Sequence, residues 1–282
     1  MKFSRQIIGL AVVTLTATAA ACGLGLVGEA PAAVVNDGGS STLPPPGPVE
    51  DAGGNSSLDA GHADASVALE FDGIGDFVRV RRPVQDDFTL EAWIQTSTSR
   101  DGGAFYEGLP ILWADVAGDH EDFAMSTLKG KLAFGAKNTT VSSDASVSTG
   151  AWVHVAVTRA KNRGAIALYV NGQPDATGAG PNTTLDDSAT LDIGGDLADG
   201  RFFKGRIREV RAWSVVRTAA EISANINTRL VGNETGLVAY WRLDDGAGII
   251  AADSTDGGKN PGTLGDADAG ADASTRPTWV IY

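Results

Sequence analysis

The chain has 282 residues, 43% of them hydrophobic and 20% charged, enough for one large or two small globular domains. Its 36 glycines and two methionines suit a turn-rich all-β protein better than a helical bundle. A formal net charge of −13 repels phosphate backbones and argues against nucleic acid as a partner; it suits solubility in a salty medium, with calcium binding the other use of so many carboxylates.

The N-terminus sets the compartment. Lys2 and Arg5 precede an apolar stretch from Ile7 to Ala21, the layout of a secretory leader and too short for a comfortable membrane span. It ends in Ala19-Ala20-Ala21-Cys22, and Cys22 is the only cysteine, so no disulfide can form within the chain. A lone cysteine directly after small residues resembles a bacterial lipoprotein signal, although Ala19 stands where that family prefers Leu. The resemblance implies removal of residues 1–21, lipidation of Cys22, and export to the cell envelope with a lipid anchor in a membrane. Gly23 rather than Asp at the next position points, by the same family rule, to the outer membrane or cell surface. The competing reading is an ordinary signal peptide cut nearby, with Cys22 incidental.

Residues 22–66 contain Pro44-Pro45-Pro46 and many Gly, Ser, Asp and Ala, with no aromatic residue. Such a segment cannot bury enough apolar surface to offset its ordering entropy and reads as a flexible tether. Asp59-Ala60-Gly61-His62-Ala63-Asp64-Ala65-Ser66 returns in near form at 268–274, which reads as spacer.

From residue 67 the pattern is that of half-buried strands. Val67, Leu69 and Phe71 alternate with Ala68 and Glu70, and the same period of two recurs at 78–81, 88–94, 152–157, 166–170 and 237–243. Asn171-Gly172, directly after Leu168-Tyr169-Val170, is a strong two-residue hairpin signal, because both positions tolerate positive φ. Thr218-Ala219-Ala220-Glu221 is a capping box that predicts one short helix near 219–227, with Ile222 and Ile226 on one face.

Several of these segments carry a resemblance. Ala68-Leu69-Glu70-Phe71-Asp72-Gly73, Phe88-Thr89-Leu90-Glu91-Ala92-Trp93-Ile94, Trp152-Val153-His154-Val155-Ala156-Val157-Thr158 and Leu168-Tyr169-Val170-Asn171-Gly172 look like successive strands of laminin-G-like domains. Phe203-Lys204-Gly205-Arg206-Ile207, Arg217 to Ile222, and Ala239-Tyr240-Trp241-Arg242-Leu243-Asp244-Asp245-Gly246 follow in the same order. The chain thus resembles the concanavalin-A-like lectin and glucanase superfamily over 67–282. The resemblance implies an all-β jelly roll, two packed antiparallel sheets in a sandwich with one short helix. It implies no single function, since members bind sugars, proteins or calcium, or act as spacers.

The E-x-D-x-x-E strand that carries paired carboxylates in the superfamily's glucanases is absent, and so are sialidase repeats. Nothing marks a nucleophile, and His154 reads as a core imidazole bonded to backbone or carboxylate. The chain is therefore expected not to be an enzyme. It reads as a binding module for a glycan or an extracellular protein, with a structural or adhesive envelope protein and a glycoside hydrolase as alternatives. Calcium is the expected cofactor, on Asp72 and Asp76 with Asp253 as a third ligand; turn chemistry is the competing use of those residues. The segment 101–122 is expected to be a ligand-facing loop in which Trp113 offers a stacking face beside Asp115, Asp119 and Glu121. A further core-facing aromatic is the alternative for Trp113.

Overall fold

The structure is a computed structural model that describes residues 66–266 and 273–282. The expected leader, Cys22 and all of the expected linker but Ser66 lie outside the described residues. Strands are numbered in chain order: β1 (Val67–Asp72), β2 (Val78–Arg81), β3 (Phe88–Gln95), β4 (Leu109–Trp113), β5 (Phe123–Leu128) and β6 (Lys131–Ala136) come first. Then follow β7 (Thr139–Ser146), β8 (Trp152–Ala160), β9 (Ala165–Val170), β10 (Gln173–Ala179), β11 (Thr190–Ile193), β12 (Gly195–Asp196) and β13 (Arg201–Phe202). The last elements are β14 (Lys204–Trp213), the helix α1 (Ala219–Asn225), β15 (Leu237–Trp241), β16 (Ile250–Ala251), β17 (Gly262–Leu264) and β18 (Thr278–Ile281).

Two antiparallel sheets form the sandwich. One runs β10-β9-β8-β3-β14-β1-β18, with β15 also on β14; the other runs β16-β17-β2-β11-β4-β5-β6-β7. The long strand β14 changes partner along its free edge: Lys204 to Ile207 face β1, and Val210 to Trp213 face β15. Alternate residues of both sheets meet in one core that holds Leu69, Phe71, Leu90, Ile111, Phe123 and Trp241. The removal of this apolar surface from water is the main stabilising term of such a fold.

The turn chemistry acts as its residue types require. Asn171 and Gly172 both adopt positive φ, 50° and 75°, and close the β9–β10 hairpin. The Thr218 side chain accepts from the Glu221 N–H, and Glu221 reaches back to Thr218. The helix ends at Asn225, two residues before the expected end near 227. The reason lies in the partners of the next carbonyls. Arg211 binds the carbonyls of Asn225 and Thr228, and the Trp93 indole N–H takes that of Ile226.

The segment 101–122 is not one loop. It contains β4, all five residues of which are buried between neighbouring strands of the second sheet.

Candidate functional site

The cleft nearest the predicted carboxylates opens where β1 ends. Asp72 Oδ1 accepts from the Ile74 N–H at 2.7 Å and turns the chain, and Gly73 takes a φ of 83° that side chains rarely adopt. Asp76 is buried and its Oδ2 accepts from the Asp72 N–H at 2.8 Å. Burial pushes the Asp76 carboxyl up to about 6, against the pull of that backbone bond. Pairing of β1 with β14 and of β14 with β3 brings Glu70, Gln95, Lys204 and Arg206 to the same place. The result is a cleft of about 720 Å³ bordered by these side chains, Asp72, Asp76, Thr96 and Thr98. Arg206 Nε lies 3.3 Å from Glu70 Oε1, and Gln95 donates to the Gly150 carbonyl. Sequence reasoning missed Gln95, Lys204 and Arg206, because only sheet pairing makes them neighbours of Asp72.

The third expected calcium ligand does not join this pair. Asp253 Oδ1 accepts from the N–H groups of Tyr240 and Thr255 and from the Thr255 hydroxyl, and Oδ2 accepts from the Asn260 N–H. Both oxygens are spent on tying β15 to the closing segment. Among the described residues no three His, Cys, Asp or Glu side chains gather as a cation site. Asp253 is therefore not a third ligand beside Asp72 and Asp76, and calcium at that pair would complete its six to eight oxygens from backbone carbonyls and water.

The expected loop site divides likewise. Trp113 is only 4% exposed and packs in a small core with Phe105, Ala124, Leu128 and Ala133. The Arg201 guanidinium lies 5.6 Å from the centre of its ring, so no sugar can stack there. Asp115 lies beyond the end of β4, near Asp122 and Asp196. Burial, then the charges of those two, push its carboxyl up to about 7. Asp119 and Glu121 stand apart from it: Asp119 accepts from the Asn138 amide, while Glu121 pairs with Lys137 at 2.8 Å and with the Thr183 hydroxyl.

Among the described residues the one histidine in a strand, His154 of β8, sits in a closed charge cluster. His154 Nε2 lies 3.2 Å from Glu91 Oε2, and Arg217 Nη1 lies 3.0 Å from Glu91 Oε1. Burial pushes the Glu91 carboxyl up, but His154, Arg211 and Arg217 outweigh it and hold the group below its ordinary value. Glu91 and His154 are both essentially inaccessible, at 0% and 1% exposure.

Fold and cleft define a laminin-G-like β-sandwich. The model of the concanavalin A-like lectin/glucanases superfamily matches residues 72–223, and the chain belongs to that family. Mouse pappalysin-1 is 28% identical over 186 residues, 58% of this chain; the chain spans about a tenth of that relative, 11% of its length. Among solved structures, a proposed carbohydrate-binding protein from Bacteroides ovatus superposes with a TM-score of 0.59 at 23% identity, over 77% of this chain and 60% of that one. A heptameric SAP-like pentraxin from Limulus polyphemus gives 0.48 at 16% identity, over 71% of this chain and 96% of that one. The likeness to the B. ovatus protein shows the fold.

Proposed function

We propose that the chain is a non-catalytic module that binds a glycan at the cell envelope, anchored through a lipid on Cys22. The observation that carries the reading is the open cleft of about 720 Å³ at the β1 end, where carboxylate, amide, hydroxyl and cationic side chains converge from three strands. Such a mixture can donate to and accept from vicinal sugar hydroxyls. The B. ovatus protein of this fold, itself named for carbohydrate binding, agrees with the reading. The Glu91–His154 pair reaches no solvent and so meets no ligand, and the one raised carboxyl on the cleft, that of Asp76, already accepts the Asp72 N–H.

Binding of oligosaccharides to the purified full chain tests this, with Lys204→Ala and Gln95→Ala as cleft variants. A loss of affinity of about five-fold or more in each is expected from removal of a hydrogen bond to ligand. Binding is expected to survive a calcium chelator, since the amide, hydroxyl and cationic side chains of the cleft can bond sugar hydroxyls directly. A Cys22→Ser chain is expected in the soluble rather than the membrane fraction, and its persistence in the membrane would remove the lipid anchor from the account.

A further inference from the structure

A second cleft, of about 370 Å³, opens on the outer face of the first sheet where β14 passes from β1 to β15. Strand pairing slips there. Arg208 faces Trp93 and Arg211 faces Glu91, so β14 sets two residues, Glu209 and Val210, against the single residue Ala92. Glu209 takes a φ of 53°, unusual for a side-chain-bearing residue within a strand, and its N–H bonds the Arg242 carbonyl. In a regular strand residues three apart point to opposite faces; the bulge puts Arg208 and Arg211 on the same face, beside Arg242.

The charges in this cleft do not balance. Arg211 pairs with Glu209 at 2.7 Å, and Arg229 pairs with Asp244. Both acids are thereby used. Among the described residues Arg242 donates only to the Ser254 hydroxyl, through Nε, and lies 6.0 Å from the centre of the Tyr240 ring, while Arg208 has no carboxylate or carbonyl partner. The Arg208 guanidinium is instead held 5.5, 4.8 and 5.3 Å from the ring centres of Trp93, Trp152 and Tyr282. Aromatic faces attract the charge but accept none of its in-plane N–H bonds. On a chain of net charge −13, two such cations at one bulged cleft are a specific feature.

We propose that this cleft takes the oxyanion of an acidic sugar, with Arg208 and Arg242 binding the anion. The inference rests on the glycan-binding reading and names a substrate class for it: sugars bearing a carboxylate or a sulfate ester. An arginine fork matches either oxyanion geometry. The Glu209 bulge is then the device that aims the fork, as strained strand positions do at binding sites.

The test titrates the full chain with trigalacturonate, its fully methyl-esterified form, a sulfated heparin disaccharide and neutral oligosaccharides, following heat and tryptophan fluorescence. Trigalacturonate is expected to bind at least about ten-fold more tightly than its ester, and Arg208→Gln and Arg242→Gln are each expected to weaken it by about ten-fold. Arg242→Gln guards against a folding defect, because Arg242 is not caged by the rings; matching thermal melts confirm both variants are folded. Binding of the sulfated sugar as well assigns the cleft to both oxyanions, and its failure assigns it to carboxylates. Equal affinity for acid and ester, or unchanged affinity in both variants, overturns the proposal. Neutral-sugar binding without acid preference does so while leaving the glycan reading intact; no binding of any sugar removes both.

Discussion

Asp115 shows what a single residue contributes to the balance of this fold. Its carboxyl is pushed up to about 7 by burial and then by Asp122 and Asp196, so at pH 8 an anion is held against its environment. Asp115→Asn is expected to raise the unfolding free energy at pH 8 by on the order of 1–2 kcal/mol, after allowance for partial solvent access, and to change little at pH 5. Urea unfolding at the two pH values measures this; destabilisation at pH 8 would contradict it. Glu91 is the opposite case. Arg217 lies 3.0 Å and His154 3.2 Å from its carboxylate, while Arg211, 4.0 Å away, also has Glu209. Glu91→Ala is expected to cost roughly 3–5 kcal/mol because it leaves the buried Arg217 without its anion. A loss below about 1 kcal/mol in the same urea experiment would show that water or rearrangement replaces it.

The helix α1 depends on its cap as much as on its packing. Ile222 is its buried residue, against Ala156 and Tyr169, while Thr218 and Glu221 satisfy the first turn. Thr218→Ala is expected to cost about 1 kcal/mol in thermal unfolding; no change would mean that packing alone holds the helix. Local chemistry of this kind was readable in the sequence, as was the Asn171-Gly172 turn. The alternating strands were readable for the same reason, since one face is core and the other is not. The strands β4, β5 and β6 were not, because nearly every residue in them is buried and the period of two disappears. That is why Trp113, at the end of β4, read as a loop aromatic although it belongs to a core. The cleft was legible only in part: Asp72 and Asp76 announce a turn, whereas Gln95, Lys204 and Arg206 arrive through the pairing of β3, β14 and β1. The Glu209 bulge left no mark in the sequence, since Glu has no preference for positive φ that would flag it.

For the whole molecule, several buried acids act in one direction. Asp76 and Asp122 are raised to about 6 and Asp115 to about 7, each chiefly by burial. The folded state therefore binds more protons than the unfolded chain between about pH 4 and 7, and stability rises as pH falls through that window. Below it, carboxylates held low by partners, Glu91 above all, become protonated and their contribution is lost. The melting temperature is expected to peak near pH 5 rather than at pH 7–8, which a series of thermal melts would show; a monotonic rise from pH 4 to 8 would contradict it. Two of the polar clefts of the sandwich, one at the β1 end and one at the β14 bulge, are the proposed sugar sites. The most direct test of that claim is a glycan-array screen of the purified full chain, in calcium and again in chelator. Binding to a defined set of glycans in both buffers is the predicted result. No binding in either buffer would contradict the account and leave a structural or protein-binding envelope module in its place.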